Sequence, residues 1–587
     1  MAYLKQSTPK ATGRTHLSMA EGYYDKERGH TRTKSLEPFG YLDELEKTYE
    51  DPIAHFQQVV DEYNREAEQE DAEYTIIAKK NQKLEKNTSN RKNFGYIVIM
   101  KLYYELGLDQ FLLNRQRRKT KIEFNTSSIM KLLIISRILA PGSKKRAFDR
   151  KSRYFDFEKE DAFGLADVYR ALSFYAAIDT DIQVQIHNRI TKRHGRNLDF
   201  IYYDVTNYYF EIDKDDGLRV KGVSKENRKS PIVQMGLAMD ADGIPISYEV
   251  FADNESEKLH LRPMVLELHN RYECGRVIVV ADSAQNTGNN VYYLDEGKQW
   301  YVFSQSIRGG SDDFKKYVTD EDGYVWYGNE YKRKSTVNRR KIKVDFDRKD
   351  GTTHKKTVWI DQRQIVFYSE KYAVRSRTKR EAALKKAGRI INDPSAYTRA
   401  TSYGALKYVM NVGVDDETGE LKAAKGTPCY NLDQIREDEK YDGYYALVTN
   451  LFNDGEGKHN FSDGEIIDIY RGLWRIEDTF KVSKEEIATR PVFLSREDHI
   501  RAHFLTCYIS LVIIRLIQKY TNNEYSPEEL VEAMNSISCS GESENLFLFD
   551  YRSDVSDALG DAFGIDFTQM RHTRQAIKKL LGDAKKD

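Results

Sequence analysis

The hydrophobic period changes at Leu198, and that change limits the architecture more than any other feature of the chain. Before it, from Asn93 to Arg196, apolar residues recur at helical spacing in Phe94–Leu106, Ser127–Leu139, Ala166–Ala177 and Ile182–Arg193. Asn125-Thr126-Ser127 reads as a helix start and Pro141-Gly142 as a stop. After it come strands. Asp199 to Thr206 is an apolar strand with one carboxylate, Asp204, near its centre. Pro231–Met239 and Ile244–Phe251 follow, joined by Asp240-Ala-Asp-Gly243, a hairpin composition. Leu259–Tyr272 reads as a helix. Arg276–Asp282 is a buried apolar strand ending in a carboxylate, Asn289–Asp295 a short helix and Gln299–Ser304 a fifth strand. Three antiparallel strands, helix, strand, helix, strand is an α/β order.

A chain of 587 residues is too long for one core and divides into several domains. Residues 1–90 read as an appendage, with a strand in Thr15–Tyr24 and a charged helix in Tyr49–Glu70. Residues 91–196 form the helical segment, a candidate DNA-binding or plain packing domain whose loop Ser143–Arg146 is basic. Residues 197–306 hold the first part of the α/β core. Residues 307–450 alternate at period two, are rich in Lys and Arg, and read as a β-rich insertion forming a separate lobe, with one basic helical segment at Ser376–Arg389. Residues 451–520 return to the core. Asp463 starts a helix there and, after Pro491, Asp498–Lys519 forms a long apolar one. Residues 521–587 read as a C-terminal helical region.

Charge balance excludes little, because Lys plus Arg and Asp plus Glu are both 92. The distribution says more. Basic clusters lie at Arg115–Lys121, Lys332–Lys343 and Arg375–Arg389, and acidic excess at Asp43–Glu73, in the 410s and 430s and at Asp550–Asp566. Four cysteines form no CxxC pair and no disulfide framework, which fits a reducing cytoplasm. No apolar run follows the N-terminal charges, and no stretch reads as about 18 apolar residues, so neither secretion nor a membrane span is expected.

Three carboxylates carry the chemistry: Asp204 within a strand, Asp282 at the end of one, and Glu477 on a helix. A carboxylate in an apolar strand is costly unless it is paired or binds a cation. Carboxylates that converge make a site for hard ions such as Mg²⁺ or Mn²⁺, and two such ions stabilise both oxygens of an in-line phosphoryl transfer. Read as one helix, Tyr470 to Lys484 places Tyr470, Leu473, Glu477, Lys481 and Lys484 on a single face. Asp478 points about 100° around it and reads as solvated. His499 and His503 have i, i+4 spacing, which suits Zn²⁺, core packing or a phosphate contact. Trp326 and Trp359 suit core packing or stacking on a base.

The element order is similar to the ribonuclease H-like fold. The run Tyr470, Trp474, Arg475, Ile476, Glu477, Lys481, Lys484 resembles the signature of the bacterial and archaeal insertion-sequence DDE transposases, in the broad insertion-sequence-4 group. That group's Tyr-Arg-Glu-Lys pattern is matched at Tyr470, Glu477 and Lys484 and departs at Leu473, where an Arg is expected. Arg471 and Arg475 are the nearest guanidinium groups. The resemblance implies a ribonuclease H-like catalytic core with a β-rich insertion, preceded by a helical domain. It implies catalytic and metal-binding Asp204, Asp282 and Glu477, with two Mg²⁺ or Mn²⁺ ions. DNA contacts are implied for Tyr470, Arg475, Lys481 and Lys484. The partners it implies are transposon-end and target DNA, handled by a dimer or higher oligomer in the prokaryotic cytoplasm at the nucleoid. The reaction would be cleavage at the element's ends and strand transfer. The alternatives are a two-metal structure-specific nuclease and a silent DNA-binding repressor derived from a transposase.

Overall fold

A computed structural model describes residues 2–9, 13–25, 30–70, 83, 86, 89–119, 121–157, 163–210, 216–219, 231–252, 259–275, 277–329, 331–347, 352–399, 401–415, 420–424, 426–451, 461–490, 492, 494–542 and 545–586. Glu73, Thr120, Arg276 and Pro491, which fall in stretches singled out above, lie outside these. The chain divides into two compact units, Met1–Thr88 and Ser89–Asp587.

The first unit is an antiparallel sheet of β1 (Ala2–Ser7), β2 (His16–Asp25) and β3 (His30–Tyr41), in that order, with helix α1 (Pro52–Glu70). Its core is small: Ala2, Met19 and Val60 are buried together. The Asn64 side chain brackets the Ala2 backbone, accepting from its N–H and donating to its carbonyl, both at 2.7 Å.

The second unit opens with helices α2 (Tyr96–Glu105), α3 (Leu108–Lys119), α4 (Thr126–Leu139), α5 (Lys144–Asp149), α6 (Leu165–Ala177) and α7 (Asp179–His194). Asn125 caps α4 by accepting from the Ser128 N–H, as its position before the apolar period predicts. The sheet follows: β4 (Phe200–Tyr209), β5 (Ile232–Met239), β6 (Pro245–Ala252), α8 (Leu261–Asn270), β7 (Ile278–Ala281), α9 (Gly288–Glu296) and β8 (Trp300–Ser304). Strands β4, β5 and β6 are antiparallel neighbours, while β7 lies parallel to β4 and β8 parallel to β7.

The insertion does not stand apart as its alternation suggests. It contributes α10 (Asp312–Thr319), β9 (Val325–Tyr327), the long hairpin β10 (Tyr331–Asp347) and β11 (Thr353–Ser369), helix α11 (Glu370–Asn392) and strand β12 (Tyr444–Thr449). Strand β12 pairs with β8, and β11 pairs with β12. The result is one nine-stranded sheet in the order β9-β10-β11-β12-β8-β7-β4-β5-β6. Period-two alternation reports strands but not the sheet they join, because the free edge of β8 is specified by backbone groups that every sequence carries.

Helices α12 (Asp463–Arg471), α13 (Trp474–Lys484) and α14 (Glu497–Tyr520) cover one face of this sheet. By length and composition α14 is apolar enough to cross a membrane, contrary to the reading above. Its most apolar window has a mean hydropathy of 1.7 and is 89% buried within the protein, so it is the central core helix. The C-terminal region is not helical throughout. Strands Ser538–Gly541, Leu546–Phe549 and Arg571–Thr573 join Arg91–Asn93 in a four-stranded sheet, interleaved with helices Pro527–Ser536, Asp554–Phe563 and Arg574–Asp583.

Candidate active site

The pairing registers define one row of side chains across the sheet. Tyr248 pairs with Leu237, and Leu237 with Asp204. The last pair between β4 and β7 is Tyr202 with Val280, and extending that register by two residues sets Asp204 opposite Asp282. Ala281 pairs with Phe303, which sets Asp282 opposite Ser304, and the row continues through Leu447 to Ile365. Tyr248, Leu237, Leu447 and Ile365 belong to one apolar core, beneath α12–α14. Asp204, Asp282 and Ser304 interrupt that row with three polar groups on adjacent parallel strands, spaced at about 4.8 Å.

Two carboxylates so placed are half-buried and oriented by backbone. Asp204 accepts from the Val205 N–H at 2.8 Å and Asp282 from the Ala284 N–H at 2.9 Å. A cavity of about 200 Å³, lined by Ser283, which follows Asp282, and by Ser304, Ser306, Arg308 and Tyr445 among others, opens where β7 and β8 end. Ligands of open α/β sheets sit at such carboxyl ends. An all-oxygen pair at neighbouring-strand spacing fits a hard divalent ion taking one ligand from each aspartate.

The helix above is not continuous. Ser462 caps α12 in a box with Glu465, but the helix ends at Arg471, and α13 begins at Trp474. Gly472 lies over the Tyr202 side chain, where a Cβ would come within 2.0 Å of the hydroxyl, so only glycine permits the approach. That hydroxyl donates to the Ile469 carbonyl at 3.3 Å. Tyr470 therefore belongs to α12 and does not share a helix face with Glu477. The two phenol oxygens of Tyr470 and Tyr445 are 2.9 Å apart, and burial, with Tyr445 and Asp282 nearby, holds the Tyr470 hydroxyl protonated well above its ordinary range.

Helix α13 packs on β4 through Ile476 and Phe480, leaving Glu477 exposed on its outer side. Among the described residues no three Asp, Glu, His or Cys side chains are gathered closely enough to hold an ion, so Glu477 does not complete the aspartate pair as expected. Lys481 is exposed and pairs with Glu485 at 3.7 Å, while the Lys484 ammonium lies 5.8 Å from the centre of the Tyr208 ring. Arg475 turns away, toward the Tyr202 hydroxyl and the Gly243 turn. Leu473, at the position where an Arg is expected, is buried in the core.

Asp478 is not a solvated residue: Arg515 of α14 donates to it at 2.7 Å and also to the Thr479 hydroxyl. His503 donates its Nε2 proton to the Thr489 carbonyl at 2.9 Å, and its Nδ1 lies 3.2 Å from the Lys144 ammonium, so both nitrogens are engaged inside the core. His499 meets the Ser173 hydroxyl at 3.3 Å. Lys144, read as part of a basic loop, is buried. Lys332 and Lys334 are buried too, bound to Glu321 and to the carbonyls of Asp320 and Asp322. On the hairpin face that carries Trp359, the exposed basic residues are Arg339, Lys341, Lys343 and Lys355, with Lys356 exposed on the opposite face, and Trp359, 55% exposed, stands directly across from Lys341. Trp326 is exposed as well, at 49%. Ser304 and Tyr445 were missed by sequence reasoning. A polar residue closing an apolar strand, the cue that marked Asp282, was available for Ser304.

No protein-family model matches the chain, and no curated protein does. Among solved structures, a cryo-EM piggyBac transposase synaptic complex with hairpin DNA aligns over 84% of this chain and 83% of its own, with a TM-score of 0.35 and 8% identity. The Mos1 transposase paired-end complex with a left transposon end aligns over 31% of this chain and 59% of its own, with a TM-score of 0.14 and 13% identity.

Proposed function

We propose that the chain is a DNA transposase of the DDE type, with strands β4 to β8 and helices α12–α14 forming a ribonuclease H-like core. The observation that carries this reading is the Asp204–Asp282 pair at the centre of the sheet. The order β6-β5-β4-β7-β8, three antiparallel strands followed by two parallel to the first, supports the fold assignment. On this reading Asp204 and Asp282 hold Mg²⁺ or Mn²⁺, and Glu477 joins them when DNA is bound. Such ions neutralise phosphate charge and favour deprotonation of the attacking water. The chain's own part is placement: strand pairing fixes the aspartates, and α13 carries Glu477 over β4. Lys484 and Lys481, on the same helix, contact phosphate. Tyr470 acts from below, through its contact with Tyr445. Arg475 contacts DNA at the other end of α13, beside the exposed Trp474.

The hairpin face bearing Arg339, Lys341, Lys343 and Lys355 shares the sheet face of the aspartates and would hold the duplex of the transposon end. Strand transfer into target DNA requires two ends to be held together, hence a dimer or higher oligomer. The insertion-sequence-4 assignment rests on Tyr470, Glu477 and Lys484. The test is Mg²⁺-dependent cleavage of a DNA fragment carrying the inverted repeat that flanks the reading frame, followed by joining to a target plasmid. Cleavage without joining would leave a nuclease. Binding without cleavage would leave a repressor.

A further inference from the structure

The loop that follows the Glu477 helix is gripped from inside the protein. Ala488 has a φ of +46°, the left-handed conformation that glycine usually supplies just past a helix end. An alanine is strained there, and such strain persists only where the surroundings impose it. Three consecutive carbonyls are held. Arg137 of α4 donates to Ile487 at 3.3 Å and to Ala488 at 3.0 Å, and His503 of α14 donates to Thr489 at 2.9 Å. The Thr489 hydroxyl lies 2.8 Å from the Ser483 hydroxyl, which lies 2.8 Å from the Tyr208 hydroxyl of β4. Lys144 of α5 completes the chain at His503 Nδ1.

Arg137, Lys144 and His503 are 5%, 5% and 3% exposed. Apart from one another, the titratable group they face among the described residues is the Cys507 thiol, 3.8 Å from His503 Nε2. A buried cluster of bases is costly without compensation. Part of the compensation comes from the three loop carbonyls of Ile487, Ala488 and Thr489 that Arg137 and His503 contact. Because His503 Nε2 donates, its Nδ1 is the acceptor, and Lys144 fixes that tautomer.

We propose that Lys144 and His503 are positioning residues for the candidate reaction: with Arg137 and the Thr489–Ser483–Tyr208 relay they set the Glu477 helix against the strand that carries Asp204. The proposal rests on the reading of Glu477 as catalytic. Its test has two arms in the full chain. In hydrogen exchange of the free protein, Lys144→Met should speed exchange of the amides from Phe480 to Thr489 by about tenfold or more, leaving α2 and α4 unchanged. In single-turnover Mg²⁺ cleavage at saturating protein, the rate should fall by at least about tenfold at unchanged DNA affinity. Lys144→Gln, which keeps a donor for Nδ1, should recover most of both. Should Lys144→Met fail to fold, Thr489→Val, which breaks only the relay to Ser483, should move both readouts in the same direction. A uniform rise in exchange across α4 and α14 would make the cluster merely structural and overturn the proposal. A local rise with an unchanged cleavage rate would also overturn it. If the wild-type chain cleaves no end DNA, the transposase reading fails, while the exchange arm still decides whether the cluster pins the helix.

Discussion

Asp204 and Asp282 stand where the alternation of their strands calls for aliphatic side chains, between Leu237 on one side and Leu447 on the other. Their retention makes sense when something positive binds between them. Asp204→Asn and Asp282→Asn should each lower end cleavage by about three orders of magnitude or more and leave gel-shift binding of the same fragment intact. Glu477→Gln should do the same if DNA draws Glu477 in, and full activity of that variant would place the third ligand elsewhere. Asp478→Asn now carries a cost, because Arg515, largely buried, would lose its charged partner. About 1–2 kcal/mol of stability, read by urea unfolding, is expected. Burial, with Arg137 adding to it, pushes the Lys144 ammonium from 10.5 down to about 7. The folded state then binds fewer protons than the unfolded one between those values, so this residue makes stability rise with pH across that window. The slope approaches ~1.4 kcal/mol per pH unit. Lys144→Met should flatten it, and a slope unchanged in the variant would assign it to another group.

At the scale of elements, the hairpin β10–β11 separates two kinds of basic residue by its pleat. Lys332 and Lys334 face inward to Glu321 and the turn carbonyls, so reversing them to Glu should destabilise the sheet edge without changing the salt dependence of DNA binding. Reversing Arg339, Lys341 and Lys343 should leave stability alone and shallow the slope of log affinity against log salt by about three, one for each lost phosphate contact. Equal slopes in the double and the triple variant would move the DNA track elsewhere, for instance to α11. The same pleat explains what was legible in the sequence. Helices α2, α4, α6 and α7 fall within a few residues of their apolar periods, and the strand order around Asp204 and Asp282 follows from alternation and turn composition. Less legible was anything fixed by contact between distant segments: the docking of β12 onto β8, the break that the Tyr202 hydroxyl imposes at Gly472, and the pairing of Asp478 with Arg515. Those depend on which surfaces meet, and local patterning does not encode that.

At the scale of the whole chain, the second unit closes on itself through its two ends. Strand Arg91–Asn93 pairs with Ser538–Gly541, some 450 residues later. The Asn93 side chain accepts from the Tyr96 N–H at 3.1 Å, opening α2, and donates to the Met534 carbonyl at 2.8 Å, while the N–H groups of Phe94 and Gly95 both donate to the Ile537 carbonyl. The start of the helical segment is thereby tied to the C-terminal region, and α2 brings Tyr96, Ile97, Val98 and Ile99 fully into the main core. The first unit has its own sheet and its own small core. A fragment spanning 89–587 should therefore keep the cooperative unfolding of the second unit. A fragment spanning 94–587, shorter by only five residues, keeps the buried Phe94 and Tyr96 but loses the strand, the Asn93 cap and the Asn93 bond to the Met534 carbonyl. At about 1 kcal/mol for each buried hydrogen bond, it should lose on the order of 3–5 kcal/mol. Comparing the two by urea unfolding isolates this tie from any effect of residues 1–88, and equal midpoints would show that the four-stranded sheet contributes nothing to closing the unit.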